Sequence, residues 1–317
     1  GHLYKAKLEP IKAEEYLSKS LDLNPNFIKT YDDLFSLYDQ SNQIEKFSNL
    51  LDKVKKTLSE KDLVSFYEAV LTYNQKEFKQ TIQILENIDL TEKYFYHNIT
   101  KHSFLAKSYD RINNFEKAYN HFKINNQLVN ESYGKGVNEK SFIELVTQRI
   151  KFFKNFNFNR WKQHQVKDEF SQPIFLIGFP RSGTTLLDTI LRTNQSIEVI
   201  EEKPVLRNFL RNLNIKIKNN FNHLDNLEEK FIQNMQNVYF EEREQYLENK
   251  KTKTVIDKMP LNIIHIAEIL RFFPNAKFIF ALRNPYDSVL SCFMQQFELN
   301  PAMKNLTSLE SSVILYD

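Results

Sequence analysis

Four groups of residues in this chain have the types and spacing that chemistry on an anion requires. The first is the loop Pro180-Arg181-Ser182-Gly183-Thr184-Thr185, where Gly178 and Gly183 stand five apart with an arginine between them. Such a loop bunches backbone N–H groups at a helix start, where the helix dipole also favours negative charge. Arg181 adds a fixed charge and a planar fork of donors, so the natural ligand is a phosphate or similar anion. A plain strand-turn-helix corner with an exposed arginine is the alternative. A Walker A loop shares the glycine spacing but needs lysine where this chain has Thr184, which disfavours an ordinary NTPase. The second group is Arg283 with Ser291 eight residues on, so that a phosphate held by Arg283 is also within reach of Ser288 or Ser291 on one helix face. A structural ion pair fits Arg283 equally well. The third is Lys258, in Thr254-Val-Ile-Asp-Lys-Met-Pro-Leu-Asn262, which taken alone is a solvent-exposed cation after a strand. The fourth is Glu201-Glu202, 20 and 21 residues after Arg181. Either carboxylate has the chemistry of a general base, although adjacent glutamates are usually a solvated acidic loop.

These groups need a scaffold that brings strand ends together. Ile174 to Ile177 is wholly apolar and reads as a buried parallel strand. Gly178, Pro180 and Gly183 break it, and Thr184 or Thr185 caps a helix carrying Leu186, Leu187, Ile190 and Leu191. Further strands are expected at Ile197 to Ile200, Thr254 to Asp257 and Lys277 to Leu282, the last being the strongest. Helices are expected through much of residues 205 to 250, at Leu261 to Phe273, and after Pro285. Alternating strands and helices predict an α/β, P-loop-like parallel sheet with helices on both faces and ligands at the carboxyl ends of the strands. Every group singled out above lies at such an end.

Residues 1 to 130 have almost no glycine and carry apolar residues three and four apart, as helices do. Tyr4, Tyr38, Tyr73 and Tyr109 are separated by 34, 35 and 36 residues, and each is followed by a polar break and a second helix. This period of paired helices resembles a degenerate tetratricopeptide repeat, which implies an all-α solenoid able to bind a peptide or protein partner. The recurring aromatics are expected to fill the spaces between helices. Residues 131 to 170 read as a helical connector, with the junction near residue 165, and residues 171 to 317 as the α/β domain.

A net charge of +3 is too small to argue for nucleic acid or an anionic membrane surface, so no nucleic-acid partner is expected and any positive field must be local. No run approaches the length of a membrane span, and no signal peptide opens the chain. The single cysteine, Cys292, excludes an internal disulfide framework and suits a reducing, cytoplasmic compartment. The seven histidines form no metal-ligand spacing, so no metal is expected.

Pro180 to Leu187 resembles the 5′-phosphosulfate loop of the sulfotransferase family, and Arg283-Asn-Pro followed by Ser291 resembles its 3′-phosphate site. The Asp257-Lys-Met-Pro segment is similar to one in tyrosylprotein sulfotransferases and in bacterial proteins that join tetratricopeptide repeats to a sulfotransferase domain. The resemblance implies 3′-phosphoadenosine 5′-phosphosulfate (PAPS) as co-substrate, no metal, and a hydroxyl acceptor on a peptide or glycan. It implies that Arg181 to Thr185 bind the 5′-phosphosulfate, and that Arg283 and Ser291 bind the 3′-phosphate. Lys258 would then stabilise the leaving oxygen, where sulfuryl transfer needs a cation, and Glu202 would be the base, with Glu201 as fallback. Family members continue beyond a helix like Ser308 to Asp317, so the chain reads as a fragment. A noncatalytic repeat scaffold and a P-loop kinase are the rival readings.

Overall fold

The computed structural model describes residues 1–7, 9–90, 94–161, 172–248 and 254–317. The chain divides into two compact units, Gly1–Lys135 and Gly136–Asp317. The junction expected near residue 165, with Lys162 and His164, lies outside the described residues.

Among the described residues the first unit holds eight α-helices: α1 (His2–Ala6), α2 (Pro10–Leu23), α3 (Ile28–Gln40), α4 (Ile44–Thr57), α5 (Lys61–Asn74), α6 (Phe78–Glu86), α7 (Phe95–Arg111) and α8 (Phe115–Tyr133). Each packs on the next, and α1 also meets α3 as α5 meets α7. One device closes four of the turns. The N–H five residues on donates to the carbonyl of Tyr4, Tyr38, Thr72 and Tyr109, positions spaced 34, 34 and 37 apart. In three of these turns Asn42, Lys76 or Asn113 takes the left-handed conformation that such helix ends require. The structural repeat therefore runs through Thr72, and Tyr73 stands one residue out of register. Tyr38 and Tyr109 are buried while Tyr73 is only half-buried, packed edge-on against Phe78 and Phe104. A lysine eight residues after Tyr4, Tyr38 and Tyr109 covers each ring, with Lys12, Lys46 and Lys117 at 5.5, 5.7 and 4.8 Å.

Among the described residues the second unit opens with α9 (Glu139–Phe153) and holds four strands: β1 (Ile174–Gly178), β2 (Ile197–Glu201), β3 (Thr254–Lys258) and β4 (Lys277–Ala281). Its helices are α10 (Thr184–Leu191), α11 (Val205–Ile217), α12 (Glu229–Glu244), α13 (Ile266–Phe272), α14 (Pro285–Phe293) and α15 (Leu309–Tyr316). All strand pairings are parallel, in the order β2-β3-β1-β4. Side chains alternate between the two faces as the pleat demands. Phe175, Ile177, Ile200 and Val255 join Phe209, Tyr239, Phe240 and Phe272 of the helices on one face. Leu176, Val199 and Ile256 meet Leu187 and Leu191 of α10 on the other. A fully buried aromatic of this kind is worth about 1.5–3 kcal/mol of transfer free energy. That burial outweighs the weak helix preference of so Phe-rich a chain.

Three local details differ from the sequence reading. Gly183, at φ 95°, is the N-cap residue of α10, and Thr184 is already helical. The helix expected from Leu261 is a 3-10 turn over Pro260–His265 before α13 begins, with Pro260 in its first turn. The strand expected to be strongest, β4, is one of the two edge strands among the described residues, which leaves Phe280 52% exposed and Leu282, just past its end, 74% exposed.

Candidate active site

The register of the sheet sets which strand ends meet. Glu201 lies opposite Lys258 across β2 and β3, Leu176 of β1 pairs with Lys258, and Gly178 pairs with Ala281. The carboxyl ends of all four strands therefore form one rim, with the loop after β1 in its middle.

That loop is held by its backbone. A Cβ on Gly178 would lie 2.8 Å from Ser182 Oγ and 2.9 Å from Ala281 O, so β1 approaches β4 at a point only glycine allows. Arg181, at φ 66°, and Glu202, at φ 50°, are both left-handed without being glycine. Such conformations cost about 1–3 kcal/mol and gather at sites where the surroundings over-determine them. Three contacts tie the loop to α14 and its approach: Arg181 Nε donates to Ser291 Oγ at 3.1 Å, Arg283 Nη1 donates to Arg181 O at 3.0 Å, and Cys292 Sγ donates to Pro180 O at 3.3 Å. Burial pushes the Cys292 thiol up to about 12, with the nearby Arg181 opposing, so it stays protonated and serves as a donor. The sequence reading gave this cysteine no place in the loop.

Lys258 is 0% exposed. Its ammonium has three donors and three partners: Glu202 Oε1 at 2.7 Å, Glu201 Oε1 at 3.1 Å and Thr185 Oγ1 at 3.4 Å. The alternative of a solvated lysine after a strand is thereby excluded. Alternation along β3 turns Lys258 toward α10 and the preceding Asp257 toward Tyr239 of α12. Beyond Glu201 lies a pair that the sequence reading did not single out. Asp188 of α10 accepts from Arg192 Nε at 2.5 Å and Nη2 at 3.3 Å, and Arg192 Nη2 stands 3.7 Å from Glu201 Oε2. The signal was an Asp and an Arg four apart on one helix, at ion-pair spacing.

Pro180, Arg181, Gly183, Thr184, Thr185, Glu202 and Arg283 line one cleft of about 660 Å³, together with Glu201, Met259, Phe297 and Glu298. Lys258 lies buried against Thr185, Glu201 and Glu202 of its lining. Ser291 joins the cleft through Arg181, whereas Ser288, the other serine considered for Arg283, is buried with its hydroxyl unpaired. Ser182 is likewise buried and unpaired, and lines a second cavity of about 470 Å³ beside Phe179, Phe280 and Ser288. That cavity is mostly apolar, and Arg283 lines both it and the cleft, whereas Arg181, Glu201 and Glu202 line the cleft. Among the described residues no group of three or more His, Cys, Asp or Glu is placed to hold a metal ion. No helix of the described residues is long and apolar enough to cross a membrane.

A loop of N–H groups at a helix start, two arginines and a buried lysine beside a carboxylate pair form an arrangement for transferring a charged group between oxygens. Residues 173–315 match the model of the sulfotransferase family. The match supports a sulfotransferase-family member, and a transferase, for the stretch that carries β1 to β4 and every site residue named above. Sulfotransferases typically draw on PAPS. An uncharacterized protein of Aquifex aeolicus (strain VF5) is 26% identical over 200 residues, covering 61% of this chain and 26% of that protein. The match thus spans about a quarter of the length of this curated relative.

Proposed function

We propose that the chain is a PAPS-dependent sulfotransferase acting on a hydroxyl of a protein tyrosine or a carbohydrate. The observation that carries this reading is that four separate stretches of sequence supply one cleft with an anion loop, Arg283, Lys258 and Glu202. Left-handed Gly183 and the two linked arginines fit a ligand with several anionic groups. In this reading PAPS supplies the activated sulfuryl group. Backbone N–H groups of residues 181 to 185 hold the 5′-phosphosulfate, and Arg283 with Ser291 holds the 3′-phosphate. Glu202 takes the acceptor proton as the new O–S bond forms. Lys258 meets the charge that builds on the bridging oxygen as the old S–O bond breaks.

For the helical unit we propose a tetratricopeptide-like solenoid that binds a peptide or protein. The recurrent turns through Tyr4, Tyr38, Thr72 and Tyr109 support it. A noncatalytic scaffold has one observation on its side, since all three donors of Lys258 are taken by the protein itself. Calorimetric titration with 3′,5′-adenosine bisphosphate, adenosine monophosphate and ATP separates the readings. A sulfotransferase prefers the bisphosphate, a kinase prefers ATP, and a scaffold binds none. Labelled donor incubated with fractionated extract then identifies the acceptor.

A further inference from the structure

We propose that Arg192, seated on buried Asp188, is a positioning residue of this site. It holds Glu201 against Lys258, so that Glu202 alone is free to turn to the acceptor, a role Arg192 has only if the cleft transfers sulfuryl groups as proposed above. The Asp188 side chain is 3% exposed and grips Arg192 through two nitrogens, Nε and Nη2, which fixes the guanidinium plane. Across the gap Arg192 Nη2 faces Glu201 Oε2 at 3.7 Å, while the other oxygen of Glu201 faces Lys258 at 3.1 Å. Glu201 thus lies between two cations, one on each oxygen. Glu202 has Lys258 as its one ion-pair partner among the described residues.

The two adjacent glutamates are therefore not equivalent. To leave Lys258, Glu201 must also give up Arg192, and Arg192 is anchored by a carboxylate that is almost entirely buried. Glu202 breaks one contact and is released. The chain Asp188–Arg192–Glu201–Lys258 also keeps the ammonium at the ends of β2 and β3 when Glu202 departs, so the cation stays in place during proton transfer. Position in the sequence leaves the choice between the two carboxylates open, and this asymmetry decides it.

Arg192→Gln tests the idea directly. Because it leaves Asp188 buried and unpaired, the double variant Asp188→Asn/Arg192→Gln, which removes both charges together, is measured beside it. In both, turnover should fall about two- to 150-fold, the range of coupling between groups in direct contact, with donor affinity and acceptor KM nearly unchanged. Arg192→Lys should recover most of the loss. In a Glu201→Gln background, adding Arg192→Gln should cost nothing further. A second readout needs no turnover. The Lys258 ammonium resonance of the unliganded protein, assigned by its loss in Lys258→Arg, should exchange with water several-fold faster in Arg192→Gln. Unchanged exchange, or a full additional loss in the Glu201→Gln background, overturns the role of Arg192. If the wild-type protein binds no 3′-phosphorylated nucleotide and transfers no sulfuryl group, the sulfotransferase reading falls instead, and ammonium exchange alone still reports whether Arg192 holds the Glu201–Lys258 pair.

Discussion

The Lys258 ammonium donates to Glu202 Oε1 at 2.7 Å, and the Glu202 N–H donates back to the Lys258 carbonyl at 2.7 Å. The two residues, 56 positions apart, are thus joined through both side chain and backbone. The backbone bond fixes where the carboxylate begins, so only a change of rotamer separates its paired state from one that faces an acceptor. A ligand anion arriving at Lys258 competes with Glu202 for the same donor. Binding of such a ligand would itself release the base.

Lys258→Ala should therefore lower turnover by roughly 10²–10³ while changing nucleotide affinity only a few-fold, because its contact strengthens as charge develops. Glu202→Gln should cost about 10²–10⁴ in turnover, and Glu201→Gln far less. Steady-state rates beside calorimetric affinities check both, and a reversed ranking of the glutamates would move the base by one residue.

Arg283→Ala should weaken 3′,5′-adenosine bisphosphate by on the order of 10- to 100-fold, since charge-assisted hydrogen bonds contribute about 1.5–3 kcal/mol each. Adenosine monophosphate, which lacks the 3′-phosphate, should bind as before. Equal weakening of both nucleotides would instead report damage to the loop, because Arg283 also donates to the Arg181 carbonyl.

At Gly178 an added methyl meets a backbone oxygen that cannot rotate away. Gly178→Ala should destabilise the α/β unit by about 1–3 kcal/mol, as overpacking does, and weaken nucleotide binding by displacing Ser182. Urea unfolding followed by tryptophan fluorescence measures it; an unchanged midpoint would mean that β1 and β4 can separate at no cost.

Burial, opposed by Tyr239 and Arg243, pushes the Asp257 carboxyl from an ordinary 3.8 up to about 7. Between those values the native state holds a proton that the unfolded chain has released. The contribution of this group to stability therefore declines as pH rises from about 4 to about 7 and is lowest above that range. Asp257→Asn should flatten the decline. Unfolding midpoints at about pH 5 and pH 8, compared between the two proteins, test the assignment.

Lys76 closes its helix turn at φ 65°, a conformation that glycine adopts without a Cβ clash. Lys76→Gly should stabilise the helical unit by about 0.5–1 kcal/mol, whereas Asn42→Gly should do less because asparagine already tolerates this region. Thermal unfolding of the two variants should rank them in that order.

What could be read in the sequence followed from local patterning. The apolar run before Gly178 and the glycine break after it require only neighbouring residues, and the strand and helix of the loop lie where that pattern puts them. Pro285 in the first turn of α14 is legible for the same reason. The strand order was not, because parallel strands are joined by crossovers whose destination no local signal encodes. Burial of Lys258 depends on Glu201 and Glu202 arriving from another strand end, and so its local sequence left a solvated lysine open as an alternative. Tyr73 misled because an aromatic next to the true repeat position gives nearly the same spacing. Only the carbonyl that closes the turn identifies Thr72.

Arg181 reaches Ser291 across 110 residues, and Lys258 reaches Glu201 across 57. No early folding fragment of this unit contains the cleft, because loops of that length must close before their contacts stabilise anything. Affinity for a multiply charged anion thus arises only once the last strand is docked in its correct place. A nucleotide present during refolding would bind finished molecules alone, draw the population toward them, and leave chains with misordered strands behind as the fraction without affinity.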